Sequence, residues 1–324
     1  MSNTIIINSK SEIGAGTSGA SLGVDALKFT AINNNNNFFS KHPSIDIINE
    51  NHLIINQDSL EYDNSKRLQS MSRLYDDFCL KLDDVYKAGN FPIVLAGDHS
   101  SAGGTIAGIK NAFPHKRLGV IWVDAHADLH SPYTSPSGNI HGMPLAVSLG
   151  IDNYDCKRNE ISDETVESWN ALKNNASIYP KILTDDVVII GLRDTEKEED
   201  YIINNHNIKT IKVEQVRKDG AIQSANDALN HLENCDIIYV SFDVDSMDCK
   251  LVSHGTGTPV ENGFSEKETT ELLTELCKSH KLCCFEITEI NPLLDEKTNT
   301  MSETALRILE KVTHTIESKF HDAL

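Results

Sequence analysis

The sequence predicts an α/β fold built on a central, mostly parallel sheet with helices on both faces. Short continuous apolar segments recur along the 324 residues, and such segments are typical of strands buried on both faces. Longer segments with an apolar residue every three or four positions lie between them and indicate amphipathic helices. This alternation favours a parallel sheet, and no linker or repeat interrupts it. We therefore predict a single domain over residues 1–324.

Seven segments are predicted to form strands: six are nearly unbroken apolar runs, and 208–213, which polar residues interrupt, is a further candidate. In chain order they are 5–7, 92–96, 118–123, 187–190, 208–213, 236–242 and 282–287. A glycine-rich loop, 14–19, follows the first strand. It has neither the dinucleotide-binding fingerprint nor a P-loop, so we interpret it as a tight turn at the rim of a site.

The clearest helix is predicted over about 65–87, where apolar residues recur at three- and four-residue spacing. Other helices are predicted from about 20 (including Phe29), from about 101, over about 221–232, from 265, and at the C-terminus, where the apolar face includes Ala305, Leu309, Val312, Ile316 and Phe320. Residues 152–181 show little periodicity, so we interpret them as an insertion or surface excursion. The asparagine run at 33–37 is interpreted as a flexible surface loop.

The amino-acid composition indicates which kinds of ligand and binding partner the protein can have. The formal net charge of −19 argues against nucleic acids and anionic membranes, because both need basic patches on the protein. The same charge suits a cationic substrate and divalent metals. No apolar segment reaches the ~20 residues of a transmembrane helix, and the N-terminus shows no secretory pattern. Seven cysteines without CxxC spacing fit a reducing compartment, so we expect a cytoplasmic protein.

Acidic and histidine side chains follow three of the predicted strands at the point where each strand ends. In open parallel sheets, ligands bind outside the carboxyl ends of the strands. Because residues two apart in a strand point to the same side, Asp124 and His126 are predicted to face one point, and so are Asp243 and Asp245. The predicted metal ligands are His99, Asp124, His126, Asp128, Asp243 and Asp245.

Six such side chains would repel one another strongly without bound cations. Their oxygen-rich composition suits manganese or a similar hard cation, and the thiolates of structural zinc sites are absent from the set. Two divalent ions would cancel the four aspartates and, by lowering the pKa of water, would supply a bridging hydroxide as nucleophile. Any one aspartate could instead cap a helix or form an Asx turn, but three clusters together favour a two-metal enzyme.

Six motifs also carry a resemblance to a known family. They are Gly-Asp-His-Ser at 97–100, Asp-Ala-His-Ala-Asp at 124–128, Ser-Gly-Asn-Ile-His-Gly-Met-Pro at 137–144, Ser-Phe-Asp-Val-Asp at 241–245, Thr-Gly-Thr-Pro at 256–259 and Glu-Ile-Asn-Pro at 289–292. In this order, over nearly the whole chain, they resemble the ureohydrolase family and, within it, the arginases. The resemblance implies a three-layer α/β/α fold, two Mn²⁺ per subunit, and a homo-oligomer that is a trimer or hexamer.

The resemblance further implies the reaction and the residues that perform it. The guanidinium of L-arginine would be hydrolysed to L-ornithine and urea. One manganese would be held by His99, Asp124, Asp128 and Asp243, and the other by Asp124, His126, Asp243 and Asp245. Asp124 and Asp243 would therefore bridge the two ions.

The proton shuttle and the guanidinium contacts are assigned next. His141 is the candidate shuttle because imidazole titrates near neutrality, although it could instead cap the helix that follows. Glu289, rather than the nearby Glu286, would pair with the guanidinium, and Asp128 is counted with these two as catalytic. By resemblance, Thr256 would position the guanidinium.

The amino-acid end of the pocket departs from the family at two positions. Ser137 and Asn139 match the loop that would hold the α-carboxylate. His130 stands where the family usually has asparagine, and Glu196 where it usually has aspartate. Both residues keep the ability to hydrogen-bond, and a cationic His130 would suit a carboxylate. All four are predicted to bind substrate.

Four readings of function compete. L-Arginine hydrolysis is the leading hypothesis. The 137–139 loop would bind a substrate carboxylate, and agmatine, the substrate of an agmatinase, has none. His130 and Glu196 leave room for another guanidino-acid or formimino-acid hydrolase, such as a formiminoglutamase. A related single-zinc deacetylase, or a non-catalytic protein that kept the scaffold, is disfavoured by the complete ligand set.

Overall fold

The computed structural model describes residues 4–55, 64–296 and 299–322. Within these ranges, eight strands form one sheet: β1 Thr4–Ser9, β2 Ser44–Asp46, β3 Phe91–Ala96, β4 Leu118–Val123, β5 Val187–Ile190, β6 Lys209–Ile211, β7 Ile237–Asp243 and β8 Leu282–Thr288. Their order is β2-β1-β3-β8-β7-β4-β5-β6, and every pairing is parallel. All described strands therefore present their carboxyl ends at one edge of the sheet.

Helices alternate with the strands, as the periodicity predicted. They are α1 Gly23–Asn33, α2 Phe38–Lys41, α3 His52–Ile55, α4 Leu68–Lys87, α5 Ser101–Ala112, α6 Pro144–Leu149, α7 Asp163–Lys173, α8 Lys197–Asn205, α9 Val213–Asp219, α10 Ala221–His231, α11 Glu266–Cys277 and α12 Thr300–Asp322. None of the helices in the described ranges combines the length and the apolar character that a membrane crossing needs.

A separate hydrophobic core lies on each face of the sheet. In β4, Ile121 and Val123 point into one core, whereas Val120 and Trp122 point into the other. The first core is covered by the neighbouring helices α1, α12, α11 and α10, and the second by α4, α5, α6 and α7. This arrangement confirms the predicted three-layer α/β/α fold.

Two of the expected segments differ in the structure. The strand predicted over 208–213 is shorter, because Val213 begins α9 and is buried together with Val216, one helical turn later. Residues 152–181 are more than a surface excursion, because α7 packs against α4. Its Trp169 is fully buried and donates its Nε1–H to Asp152 Oδ1 at 2.6 Å. Periodicity missed α7 because few of its residues are apolar.

Three smaller expectations concern exposed or terminal residues. The asparagine run lies at the surface, but Asn36 is tied down, since its Nδ2 donates to Glu310 Oε1 at 2.7 Å. Phe29 lies in α1 as predicted, yet its side chain faces solvent. Of the apolar face predicted for the C-terminal helix, all members but one are buried; the side chain of Phe320 lies outside the described residues.

Candidate active site

Four adjacent central strands bring the predicted residues together. His99, Asp124 and Glu289 follow β3, β4 and β8, and Asp243 is the last residue of β7. These strands are neighbours in the order β3-β8-β7-β4. Because they are parallel, the residues at their carboxyl ends meet at one place above the sheet.

The two Asp-containing pairs converge through tight turns, not through the strand alternation that we expected. Asp245 lies in a 3₁₀ turn, Val244–Ser246, and its N–H donates to Asp243 Oδ1 at 2.8 Å. In the same way, the N–H of His126 donates to Asp124 Oδ1 at 2.7 Å, beyond the end of β4. Each first aspartate thus fixes the turn that brings its partner back to the site.

Asp128 and Glu289 reach the site through left-handed backbone conformations. The φ angle of Asp128 is 52°, a conformation that aspartate adopts more readily than most residues, whereas that of Glu289 is 66°, which is uncommon for glutamate. Strain of this kind costs on the order of 1–3 kcal/mol and concentrates at functional sites. The loop is held by the Asp128 carbonyl, which accepts the N–H of Leu145 at 3.2 Å.

The six predicted ligands form two overlapping groups. In the first, His99 Nδ1 lies 2.9 Å from Asp124 Oδ2, and 3.0 and 3.2 Å from single oxygens of Asp128 and Asp243. In the second, His126 Nδ1 lies 3.0 Å from Asp245 Oδ2 and 3.5 Å from Asp124 Oδ1. Asp124 belongs to both groups. A metal ion could be held by His99, Asp124 and Asp128, and another by Asp124, His126 and Asp245.

The donor atoms of this cluster fit metal coordination better than hydrogen bonding. Among the described residues, His99 Nδ1, Asp124 Oδ2 and Asp128 Oδ2 are buried without a hydrogen-bond partner. The nitrogen nevertheless lies 2.9 and 3.0 Å from the two oxygens, which is within hydrogen-bonding distance. The other imidazole nitrogen of His99 pairs with Ser241 Oγ at 2.8 Å, and the ring stacks on Trp122. Such a partner leaves Nδ1 free to bind a metal.

The electrostatics of the cluster also favour a bound cation. Burial, followed by the charges of Asp245 and Asp124, raises the pKa of Asp243 well above its ordinary range. Burial and the charge of Asp124 raise the pKa of Asp128 to about 6. Burial lowers the pKa of His99, but its carboxylate neighbours outweigh burial and hold the pKa well above its ordinary value. The protein alone thus accumulates negative charge here that protons or metal ions must offset.

His141 and Glu289 lie beside the metal-binding groups. His141 Nδ1 is 3.3 Å from Glu289 Oε1, and the same oxygen accepts the backbone N–H of His99 at 2.9 Å. Burial lowers the pKa of His141, but Glu289 more than offsets this, so that the pKa rises to about 8. Glu286, the competing glutamate, lies away from the cavity and accepts a hydrogen bond from Tyr239 at 2.9 Å.

A cavity of about 240 Å³ opens above these groups. Every predicted substrate-binding residue except one lines it: His130, Ser137, Asn139 and Glu196. Thr256 is buried away from the cavity, and Thr258, two residues later, takes its place and donates to Asp245 Oδ2 at 3.0 Å. The prediction for Thr256 depended on the Thr-Gly-Thr motif, which contains two threonines, and the structure places the second of them at the cavity.

Further lining residues were not predicted from sequence. Asp194, Thr195 and Glu199 also face the cavity. Asp194 Oδ2 lies 3.5 Å from His126 Nε2, and burial raises the pKa of Glu199 to about 8. Asp194 and Glu199 lie within three residues of Glu196 in the sequence. The prediction for Glu196 could therefore have been extended to the whole segment at the start of α8.

His130, which as a cation would suit a substrate carboxylate, is held by protein groups at this end of the pocket. Its Nδ1 pairs with Thr134 Oγ1 at 3.1 Å, and its Nε2 lies 3.4 Å from Glu196 Oε2 and 3.7 Å from Glu199 Oε2. Burial lowers the pKa of His130 to about 4, so the ring is neutral near pH 7. The imidazole therefore links the loop after the metal ligands to the first turn of α8.

Comparison with known proteins agrees with this geometry. The Arginase family matches residues 2–314. An arginase of Bacillus subtilis is 36% identical over 259 residues, which cover 80% of this chain and 81% of that protein. An arginase of Staphylococcus aureus is 33% identical over 307 residues, covering 92% and 93%. The arginase of Entamoeba histolytica, solved in complex with L-ornithine, superposes with a TM-score of 0.79 at 25% identity and covers 97% of this chain and 99% of that one.

The fold and the site together define a ureohydrolase, an enzyme that hydrolyses linear amidines. Within that class, the chain belongs to the Arginase family. The predicted family resemblance is therefore confirmed.

Proposed function

We propose that this enzyme is a binuclear manganese arginase that hydrolyses L-arginine to L-ornithine and urea. The observation that carries the proposal is the cavity itself, which places His141 and Glu289 directly beside two overlapping groups of metal-ligating side chains. Similarity to curated arginases over most of the chain supports the same reaction.

The charge of the cavity supports a cationic substrate. Seven carboxylates line it, and no lysine or arginine stands among the described lining residues; the carboxylates are Asp128, Asp194, Glu196, Glu199, Asp243, Asp245 and Glu289. A cleft lined by one sign of charge raises the local concentration of oppositely charged ligands. A guanidinium group matches a carboxylate in shape as well as charge, because it can donate two parallel hydrogen bonds.

The residues divide the work as follows. Glu289 fixes the guanidinium, and its 2% exposure keeps water from competing for that contact. His141 holds a proton at Nδ1, shared with Glu289, and passes it to the leaving amine. Thr258, through its hydrogen bond to Asp245, orients one side of the ligand cluster.

The metal ions would be held by the two groups that share Asp124. His99, Asp124, Asp128 and Asp243 would bind one ion, and His126 and Asp245, with Asp124 and Asp243, the other. When bound, such ions act as Lewis acids and make water nucleophilic near neutral pH. Carboxylate and imidazole ligands without thiolate favour manganese over a structural zinc.

A substrate panel tests the proposal. Urea release is measured from L-arginine, agmatine and 4-guanidinobutyrate with manganese-loaded protein, alongside formamide or ammonia release from formiminoglutamate. Protein stripped by a chelator serves as the control, and elemental analysis counts the bound metals. We expect L-arginine to have the highest kcat/KM and the loaded protein to hold two manganese ions per chain.

Two results would contradict the proposal separately. A higher kcat/KM for another substrate of the panel would contradict the assignment of L-arginine as substrate, but not the assignment to the ureohydrolases. One metal ion per chain at full activity would contradict the proposal of a binuclear centre.

We further propose a cytoplasmic trimer or hexamer, on the family resemblance alone. Light scattering of the purified protein measures the number of subunits in the assembly.

A further inference from the structure

Lys66 lies directly behind the rim of the cavity. Its Nζ donates to Asn139 Oδ1 at 2.7 Å, and its backbone N–H donates to the carbonyl of Gly138 at 2.8 Å. Next to it, Arg67 Nη1 donates to the carbonyl of Ile13 at 3.0 Å. The segment that begins α4 is thus attached both to the 137–139 loop and to the glycine-rich loop.

The lysine determines which way the Asn139 amide points. A lysine ammonium has three donors and no acceptor, so the amide must turn its oxygen toward Lys66. The amide nitrogen then points away from Lys66, and Asn139 is one of the residues that line the cavity. A Cβ on Gly16 would lie only 2.5 Å from Nδ2, so the glycine leaves room beside this nitrogen. Asn139 Nδ2 donates no hydrogen bond to any other residue within the described ranges.

A hydrogen-bond donor at the position of Asn139 could bind an anionic group of the substrate, which few other residues of this cavity can do. The described lining residues carry seven carboxylates and neither lysine nor arginine, so few groups there can receive an anionic part of a substrate. The contact with Lys66 polarises the amide and strengthens its N–H as a donor. A carboxylate accepts such a hydrogen bond, whereas an ammonium group cannot.

We propose that Lys66 is a specificity-determining residue, which, through Asn139, makes the rim selective for substrates that carry a carboxylate. The inference rests on the proposed function, since it concerns the amino-acid end of the same substrate. Lys66 acts as a positioning residue; the contact with the substrate is made by Asn139.

Ligand binding tests the inference without catalysis. Calorimetry measures the affinity of the manganese-loaded protein for L-ornithine and for putrescine, which has the same amine chain without the carboxylate. In Lys66→Met we expect roughly 10-fold weaker binding of L-ornithine, the usual order for losing a charge-assisted hydrogen bond, and unchanged binding of putrescine. With arginine as substrate, KM should rise by a similar factor while kcat stays within about 2-fold, because the carboxylate takes no part in the chemistry.

Three further variants sharpen the test. Lys66→Arg keeps a donor-only cation and should restore most of the selectivity. Asn139→Asp keeps the partner of Lys66 but presents an oxygen to the cavity, so L-ornithine binding should fall at least as far as in Lys66→Met. Lys87→Met changes a lysine at the far end of α4, paired with Asp83 on the surface, and should behave as wild type.

The inference fails if Lys66→Met weakens L-ornithine and putrescine equally or weakens neither, or if wild-type protein binds L-ornithine no better than putrescine. It also fails if the loss in Lys66→Met persists in full in an Asn139→Ala background, because Lys66 would then not act through Asn139. The failure of the proposed function is recognised separately, as slow urea release from L-arginine by the wild type.

Discussion

The floor and the rim of the cavity are built in different ways. The floor consists of the six predicted metal ligands, which end or follow the central strands β3, β7 and β4 and are mostly buried. The rim consists of His130, Ser137, Asn139 and Glu196, which lie in loops and at the start of α8. Ser137 is exposed, and the side chain of Glu196 is 45% exposed.

This difference separates chemistry from specificity. The positions of the floor residues are set by the sheet, so their geometry changes little unless strands move. The rim residues are held by contacts between segments far apart in the chain, such as Lys66 with Asn139 and His130 with Glu196. Substitutions in the floor should therefore abolish activity, whereas those at rim positions proposed to contact the substrate, such as Asn139, should change which substrate is preferred.

The largest effect is expected for Asp124 and Asp243, the two aspartates that we propose bind both metal ions. Asp124→Ala or Asp243→Ala should lose bound metal and nearly all activity, because each removes a ligand common to both ions. Elemental analysis and urea release measure the two consequences. Asp185→Ala, an exposed carboxylate before the amino end of β5, is the control and should keep both. Two retained metals in Asp124→Ala would rule out its bridging role.

His141→Asn should keep the metals and lose activity by ~10²–10⁴-fold, the usual size of one general acid–base contribution. Its pKa of about 8 leaves the imidazole able to exchange a proton near neutrality, and asparagine cannot do so. The measurements are kcat and metal content, with His115→Asn in an exposed loop as control. Loss of metal from His141→Asn would instead make this residue part of the coordination sphere.

Much of the floor could be predicted from sequence, for a physical reason. Apolar runs mark buried strands, and parallel strands bring their carboxyl ends together, so His99, Asp124 and Asp243 had to meet. The route of Asp128 could not be predicted, since its left-handed φ of 52° depends on contacts with α6. The convergence of Asp243 with Asp245 was expected for the wrong reason, because a 3₁₀ turn rather than strand alternation produces it.

The rim was harder to predict, because its contacts join segments without a shared periodicity. Nothing in the sequence places Lys66 beside Asn139, 73 residues away. The same limit explains why His130 was predicted to bind substrate, although its two nitrogens face Thr134 and Glu196. Burial of α7 was missed in a similar way, since α7 packs against α4, which lies far earlier in the chain.

The two threonines of the Thr-Gly-Thr motif offer a matched pair of intermediate effect. Thr258→Val removes the hydrogen bond to Asp245 and should lower kcat/KM for L-arginine by about 10–100-fold, as is usual for groups that orient metal ligands. Thr256→Val replaces a buried hydroxyl that has no hydrogen-bond partner among the described residues, so activity and thermal stability should stay near wild type. The reverse order of effects would restore our first assignment to Thr256.

An effect smaller than that of Thr258→Val is expected for His130→Asn. Because both nitrogens of His130 already face protein groups, the side chain has no spare donor for a substrate carboxylate. We expect kcat/KM for L-arginine and for agmatine to fall together, each by less than about 10-fold, since only the contact with the start of α8 is lost. Comparison of the two substrates decides the point: a loss confined to L-arginine would mean that His130 binds the carboxylate directly, as the sequence first suggested, and that selectivity at the rim does not rest on Asn139 alone.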